Sequence, residues 1–258
     1  MSNGDSAGEA PERGPSSAVG GQHPARAAVL GFVIATAAIA IAGLIGSAVG
    51  PVGRNLGAIA AVVFLVIPYY YAARHGQDLY DYGFRSQPLG LGLKLGFGIP
   101  VIVFPLFFAG FVFFYEVVCQ TDLLAALAPP GMCRLYGGWG ELHMPPLTWR
   151  TLELLFIQIV VVALPEELFF RGFVLQLLER ALPPKRRLWG GGVGLALVVS
   201  SALFALGHLA VSPDPRRLAV FFPGLMFGWV FSKTRSVLAG TIIHALSNVF
   251  IHLLEKAF

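Results

Sequence analysis

Long apolar runs separated by short polar segments dominate this chain. Seven of the runs approach the ~20 residues that a helix needs to cross a bilayer. They predict membrane spans at residues 27–49, 57–73, 94–118, 151–178, 193–211, 217–232 and 236–254. Helix-breaking pairs such as Gly50-Pro51 and Pro183-Pro184 lie between them. The pattern lacks the ten-residue alternation of a membrane barrel. We therefore predict an all-α fold, a polytopic membrane helix bundle.

Composition supports a membrane location. Hydrophobic residues make up 56% of the 258 positions and charged residues only 12%, whereas soluble domains carry about 25% charge. The formal net charge is +4, but the basic residues are scattered between apolar runs, so no nucleic-acid partner is expected. Membrane lipid is the expected surrounding, and the oligomeric state is left open.

The distribution of polar residues predicts the organisation and orientation of the chain. Residues 1–26 are rich in Gly, Ala, Ser and Pro and predict a disordered cytoplasmic tail. Residues 27–150 are expected to hold the N-terminal membrane helices and an exterior loop, and residues 151–258 a membrane core. With the N-terminus inside, the interior segments hold eleven Lys and Arg residues and the exterior segments six. This asymmetry favours a cytoplasmic N-terminus in a cell inner membrane.

Three features lie in the predicted loops: a pair of cysteines, a basic segment and a glycine-rich segment. Cys119 and Cys133 fall in one predicted exterior loop, where an oxidising compartment would allow a disulfide; two unrelated thiols are the alternative. The basic segment 183–187 is interpreted as an interior topology signal that can touch anionic lipid. The glycine-rich segment 189–194 predicts a flexible hinge or a close helix contact, because it lacks the Lys-Ser/Thr ending of a phosphate loop.

The first chemical motif lies in the fourth predicted span, where Glu166, Glu167 and Arg171 interrupt an apolar run. Charges at bilayer depth cost several kcal/mol unless they pair. Glu167 and Arg171 are four residues apart, the spacing and order of a favourable ion pair. Glu166 points about a quarter-turn away and has no such partner, and Pro165 predicts a kink before it. We therefore expect Glu167 and Arg171 to be structural and Glu166 to be free to act; one buried ionic cluster of all three is the alternative.

Two further polar motifs lie on later spans. Phe204 and His208 share a face of the fifth span, and His244 and Asn248 share a face of the last. Each motif alone also fits hydrogen bonding between helices. Together with Glu166 they supply the groups that peptide hydrolysis requires. A carboxylate serves as base toward water and as acid toward the leaving amine, while imidazole and carboxamide groups hold the water or stabilise the oxyanion.

The series Glu-Glu-x-x-x-Arg, Phe-x-x-x-His and His-x-x-x-Asn resembles the CAAX-processing and bacteriocin-processing (CPBP, or Abi) family of intramembrane endopeptidases. The resemblance covers roughly residues 150–254. It implies a catalytic core in residues 151–258 and about eight helices, where the apolar pattern predicts seven. By this resemblance Glu166 and His208 are catalytic, and His244 and Asn248 stabilise the oxyanion. The supporting residues are Glu167, Arg171 and Phe204. The implied substrate is a membrane-associated protein or peptide, such as a leader or a C-terminal sorting tail.

Several alternatives accompany this hypothesis. No cofactor is favoured, but Glu166, His208 and His244 could form a His2Glu zinc site. A non-catalytic scaffold or immunity factor is the second function, and a proton-coupled transporter the third, since acids and histidines also build proton relays. Measured from the predicted span ends at ~1.5 Å per residue, His244 would lie ~12 Å deep and Glu166 and His208 ~20 Å deep. A single site requires these depths to agree.

Overall fold

Helices form most of the regular structure in the computed structural model, which describes residues 23–128, 133, 138–143, 145–211 and 214–257. The α-helices are α1 (Pro24–Ala48), α2 (Gly50–Arg54), α3 (Leu56–Arg74), α4 (Leu89–Phe113), α5 (Asp122–Ala125), α6 (Trp149–Ile157), α7 (Leu164–Glu167), α8 (Gln176–Ala181), α9 (Leu195–Val211), α10 (Phe221–Thr234) and α11 (Leu238–Ala257). π-Helical segments are Phe114–Val118, Gln158–Ala163 and Leu168–Leu175. Short 3-10 helices are Trp139–Glu141 and Pro215–Val220. The strands are β1 (Arg186–Leu188) and β2 (Gly191–Val193).

Four helices of the described residues are long and apolar enough to cross a membrane: Pro24–Ala48, Leu56–Arg74, Leu89–Val118 and Leu238–Ala257. The all-α membrane character is thus confirmed, but the predicted count of seven or eight spans is not supported. Leu195–Val211 is apolar but short, reaching about 26 Å of a ~30 Å hydrocarbon layer. Phe221–Thr234 is shorter still, with 14 residues. The predicted fourth span is not among these four, because two carboxylates and a guanidinium lie in the middle of its apolar run.

That fourth segment is one continuous helix, residues 149–181, here called the central helix. It begins with a capping box, in which Thr148 and Thr151 satisfy each other's backbone amides. It ends at Ala181, shortly before Pro183 and Pro184, which cannot continue a helix. Between these ends, α6, α7 and α8 alternate with the two π segments. All eight residues of Leu168–Leu175 are buried, so this stretch forms the middle of the molecule.

The other helices pack around the central helix. Helices α1, α3, α9 and α10 contact the segment Leu168–Leu175, and α11 contacts Gln158–Ala163 and α4. Phe169 and Phe170 meet Phe64 of α3 at ring-centroid distances of 4.8 and 5.5 Å. The outer faces of α1 and α4 expose large apolar side chains such as Leu44 and Val101, as expected for surfaces that meet lipid. The apolar core therefore encloses the central helix, including its charged residues.

A two-stranded antiparallel hairpin is the one element described here that the all-α prediction missed. β1 and β2 are joined by Trp189 and Gly190, with φ values of 47° and 87°. Two consecutive positive φ angles are typical of a type I′ hairpin turn, and glycine adopts them without steric cost. Trp229 Nε1 donates to the Leu188 carbonyl oxygen at 2.8 Å, which docks the hairpin on α10. The expected hinge or close contact is thus an ordered hairpin that contacts a helix.

Two predictions about the loop and the tail have separate outcomes. Cys119 and Cys133 form a disulfide, with their Cα atoms 5.4 Å apart, so the pairing that the sequence left open is present. Most of the predicted disordered tail, residues 1–22, lies outside the described residues. The end of that predicted tail is helical, because α1 already begins at Pro24. Proline is favoured in the first turn of a helix, where its missing amide hydrogen costs no hydrogen bond.

Candidate active site

The two adjacent carboxylates lie on α7, the short α-helical turn between two π segments. Pro165 precedes them and has no amide hydrogen to donate. The sequence predicted a kink here; the structure departs from α-helical hydrogen bonding on both sides of this turn. π segments inside α-helices are frequent at functional sites. The local geometry turns Glu166 and Glu167 toward opposite nitrogens of His244 and toward otherwise different neighbours.

Glu167 lies in a closed ionic cluster. Its Oε1 is 3.0 Å from Arg171 Nη1, so the expected ion pair is present. The same oxygen is 3.1 Å from His244 Nδ1. The side chains of Glu167, Arg171 and His244 are only 1%, 2% and 7% exposed. Nη1 has no well-aligned hydrogen bond, so the attraction between guanidinium and carboxylate is mainly electrostatic.

Arg171 also has aromatic and backbone partners. Its guanidinium carbon lies 4.2 Å from the ring centroid of Phe204 and 5.0 Å from that of Phe227. Nη2 donates to the Gly224 carbonyl oxygen at 3.4 Å. Cation–π contacts become stronger when the cation is removed from water. The buried guanidinium is thus held by one carboxylate, two rings and a carbonyl group.

The Glu166 carboxylate faces the imidazole rings of His208 and His244. Its Oε2 is 3.9 Å from His208 Nε2 and 3.8 Å from His244 Nε2. These distances exceed a direct hydrogen bond, and Oε2 is buried without a hydrogen-bond partner among the described residues. The structure therefore brings Glu166, His208 and His244 together, and the difference in depth that the predicted spans implied is not present.

Hydrogen bonds fix the tautomers of both histidines. His208 Nδ1 lies 2.9 Å from the Phe204 carbonyl oxygen, which can only accept, so this nitrogen carries the hydrogen. The same reasoning gives His244 a hydrogen on Nδ1, toward the Glu167 carboxylate. Both rings consequently turn Nε2 toward Glu166. Phe204 packs edge-on against the His208 ring at 4.5 Å and keeps it in this orientation.

Asn248 lies one turn beyond His244 on α11 but does not hydrogen-bond with the two imidazoles or with Glu166. Its Nδ2 donates to Gln158 Oε1 at 2.8 Å. One amide hydrogen is thereby used, and the second is left for another acceptor. The predicted oxyanion donor is therefore oriented by a side chain of the central helix, two turns before Glu166.

Three residues of this site were missed by the sequence analysis. Gln158 could have been identified from the sequence, because it is a polar residue inside the apolar run 154–165. Phe227 stacks on His244 with ring centroids 5.1 Å apart, and Gly240 lies so close that a Cβ there would be 2.7 Å from Glu167 Oε2. An apolar residue and a glycine have many roles in membrane helices, so neither could be recognised from spacing.

An apolar cavity of ≈ 280 Å³ opens beside Glu166 and His208. The predicted catalytic core covers residues 151–258, but α1 and α3 contribute much of the wall of this cavity. Representative lining residues are Thr36, Ile39, Gly57, Phe64, Phe170 and Arg217. The two ionisable groups are 17% and 24% exposed, more than the Glu167 cluster. The cavity therefore gives Glu166 and His208 a shared access that Glu167 lacks.

The side chains around Glu166 also bear on the alternative zinc site. Among the residues that the structure describes, no three His, Cys, Asp or Glu side chains are grouped as a metal site. The nearest arrangement is Glu166, His208 and His244, in which one carboxylate oxygen meets two imidazole nitrogens. This grouping also fits a water molecule, since gaps near 4 Å between polar atoms are commonly bridged by water.

The fold and the site together define a multi-pass helical membrane protein with a buried carboxylate–imidazole cluster. Residues 148–250 match the family model of the type II CAAX prenyl endopeptidases, described as Rce1-like. The match confirms the resemblance to the CPBP family over this segment and supports a protease. Neither the curated proteins nor the solved structures gave a significant match.

Proposed function

We propose that the protein is an intramembrane endopeptidase that hydrolyses a peptide bond with a water molecule activated by Glu166 and His208. The observation that carries the proposal is the convergence of two imidazole Nε2 atoms on Glu166 Oε2, at 3.9 and 3.8 Å, at the edge of an apolar cavity. The expected substrate is an apolar segment of a membrane-associated protein, either a leader peptide or a C-terminal sorting tail. The expected location is a cell inner membrane with a cytoplasmic N-terminus.

Both groups near the cavity are hydrogen-bond acceptors in their resting state. Glu166 as a carboxylate and the Nε2 lone pair of His208 repel each other unless a donor lies between them. A water molecule that donates one hydrogen to each would direct its lone pair toward a carbonyl carbon in the cavity. Glu166 then removes one proton as the C–O bond forms. It delivers that proton to the leaving amine nitrogen when the C–N bond breaks.

The developing oxyanion requires donors on the other side of the carbonyl group. The second amide hydrogen of Asn248 is one candidate. His244 donates from Nε2 only as an imidazolium, because its Nδ1 hydrogen already faces Glu167. The adjacent Glu167 carboxylate stabilises that charge. In this proposal Glu167 and Arg171 orient His244 and do not touch the substrate.

The experiment compares cells that produce the wild type with cells that produce Glu166→Gln. New C-termini and N-termini of membrane-anchored proteins are identified by mass spectrometry. We expect cleavage products with the wild type that are missing with the variant, although both proteins accumulate equally. If no product differs while both proteins support the same phenotype, a scaffold or immunity factor is the better function. Ion flux in proteoliposomes, lost on the same substitution, would instead indicate a transporter.

Chelation tests the choice between water activated by protein groups and zinc. We expect purified enzyme to keep its full cleavage rate after dialysis against a zinc chelator, because Glu166 and His208 provide the base without a metal. The rate of peptide cleavage before and after dialysis is the measurement. A loss of activity that added zinc restores would contradict the metal-independent mechanism and favour Glu166, His208 and His244 as ligands.

A further inference from the structure

A second cavity, of ≈ 430 Å³, lies at the end of the bundle where α8 stops. It is far from the candidate active site, since Arg180 follows Glu166 by roughly 20 Å along the central helix at ~1.5 Å per residue. Its charged lining consists of Arg85, Arg180, Arg187, Arg235, Asp81 and Glu179. Four guanidinium groups and two carboxylates leave a net charge of +2. The cavity therefore favours an anion.

The two carboxylates already have partners. Glu179 Oε2 is 2.6 Å from Arg235 Nη1, and Asp81 Oδ2 accepts the backbone amide of Asp78 at 3.1 Å. No carboxylate within the described part of the chain forms a salt bridge with the other three arginines, Arg85, Arg180 and Arg187. With Glu179 and Arg235 paired, these three guanidinium groups and the Asp81 carboxylate account for the net charge of +2.

The segments around this cavity are held together by specific contacts. Gln176 Nε2 donates to the Asp81 carbonyl oxygen at 2.8 Å. Arg85 Nε donates to the Arg235 carbonyl oxygen at 2.8 Å, which leaves both of its terminal nitrogens available. Arg180 lies over the Tyr82 ring at 5.6 Å. A fixed guanidinium is suited to bidentate contact with phosphate oxygens.

The residues around this second cavity indicate that it lies at the boundary between membrane and water. The hairpin tip exposes Trp189 by 78% and Leu188 by 51%, and the loop before α4 exposes Tyr80 by 54%. Lys233 Nζ donates to the Trp189 carbonyl oxygen at 2.7 Å and fixes the tip. Exposed aromatic side chains are enriched where the headgroups of lipids lie. Basic pockets at the ends of membrane helices are suited to anionic headgroups.

We propose that this cavity binds the phosphate of an anionic phospholipid headgroup through Arg85, Arg180 and Arg187. Free phosphate offers the same chemistry, but the exposed aromatic tip favours a ligand that is anchored in the bilayer. The assignment does not depend on the proposed protease activity or on which side of the membrane the cavity faces.

The test uses the full-length protein in neutral detergent, with short-chain phosphatidylglycerol as the probe and native mass spectrometry or calorimetry as the readout. We expect the double substitution Arg180→Gln with Arg187→Gln to weaken binding about 25-fold, or about fivefold for each surface arginine. Both side chains are exposed, and Arg180 loses only its contact with the Tyr82 ring, so the unfolding midpoint should change little. The matched control is Arg74→Gln, an exposed arginine at the end of α3 outside the cavity, which should leave binding unchanged.

Three competitors distinguish the sources of the ligand. Short-chain phosphatidylcholine, which carries no net charge, should bind at least tenfold more weakly than phosphatidylglycerol. Inorganic phosphate that binds as tightly as phosphatidylglycerol would overturn the assignment to a lipid, and so would an acidic peptide that displaces the lipid. Equal losses in the double variant and in Arg74→Gln would show general surface attraction and would also overturn the proposal.

Discussion

Glu166 and Glu167 are neighbours in the chain but belong to different regions of the site. Glu166 is 17% exposed at a cavity, and its buried Oε2 accepts no hydrogen bond from the residues that the structure describes. Glu167 is 1% exposed and contacts both Arg171 and His244. One step along the helix thus separates a carboxylate with access to a ligand from one that is enclosed by ionic partners. This difference is the basis of the proposed division, in which Glu166 takes part in catalysis and Glu167 gives structural support.

The largest expected effect is on activity at Glu166. Glu166→Gln should lower the cleavage rate by roughly 10³-fold or more, because the amide cannot accept the proton of the attacking water. Its unfolding midpoint should stay at the wild-type value. Glu153→Gln, an exposed acid on the same helix, is the matched control and should keep full activity. A comparable loss of cleavage rate in both variants would contradict a catalytic role for Glu166.

Glu167→Ala should differ from Glu166→Gln by its effect on stability. It leaves the buried Arg171 guanidinium without its carboxylate, which costs about 3–5 kcal/mol when a buried pair is broken. Activity should fall as well, since His244 loses the partner of Nδ1. Denaturant unfolding in mild detergent gives the free energy.

A second substitution tests whether the stability lost in Glu167→Ala comes from the unpaired charge of Arg171. Arg171→Met in the Glu167→Ala background removes the unpaired charge, so it should restore part of the lost stability. It should not restore activity. Unfolding of Glu167→Ala at the wild-type midpoint would contradict the structural role.

Gln158 should have a smaller effect, confined to the rate of the chemical step. Gln158→Met leaves Asn248 without its acceptor at 2.8 Å and should lower kcat by about 10–30-fold, the scale of one unsatisfied polar group. In an Asn248→Ala background the same substitution should have little further effect. Additive losses in the double variant would show that Gln158 acts independently of Asn248.

The smallest expected effect tests the wall of the cavity. Gly57 lines the cavity, and a Cβ added there would meet open space; Gly98 of α4 also has open space but lies outside this cavity. Gly57→Leu should raise KM by about fivefold, since crowding a site costs about 1 kcal/mol. Gly98→Leu should not change KM. Equal KM values for the two variants would place substrate binding elsewhere.

Local spacing was enough to predict one part of the site. The ion pair between Glu167 and Arg171 follows from four-residue helical spacing, and the helical segments lie close to the predicted apolar runs. The predicted number of spans is not supported, because the central helix has a polar middle and α10 is short, so neither is among the four described helices that are long and apolar enough to cross a membrane. The hairpin at Trp189 was missed because a two-residue turn among glycines resembles a hinge.

Contacts between distant segments could not be predicted from one sequence. The packing of α1 and α3 on the central helix decides where the cavity lies, but their side chains are mostly apolar and carry no motif that indicates this packing. Gln158 and Asn248 are 90 positions apart in the chain, and nothing in either local pattern identifies the other. Periodicity indicates which face of a helix is polar; it does not indicate which helix that face meets.

The most direct test is an experimental structure that resolves the density between Glu166 Oε2 and His208 Nε2. We expect one water molecule within hydrogen-bonding distance of both atoms, accessible from the cavity, and no anomalous signal at the zinc absorption edge. An anomalous peak about 2.0–2.2 Å from the donor atoms would instead establish a metal site. A direct hydrogen bond between the two side chains, with no room for water, would contradict the proposed mechanism altogether.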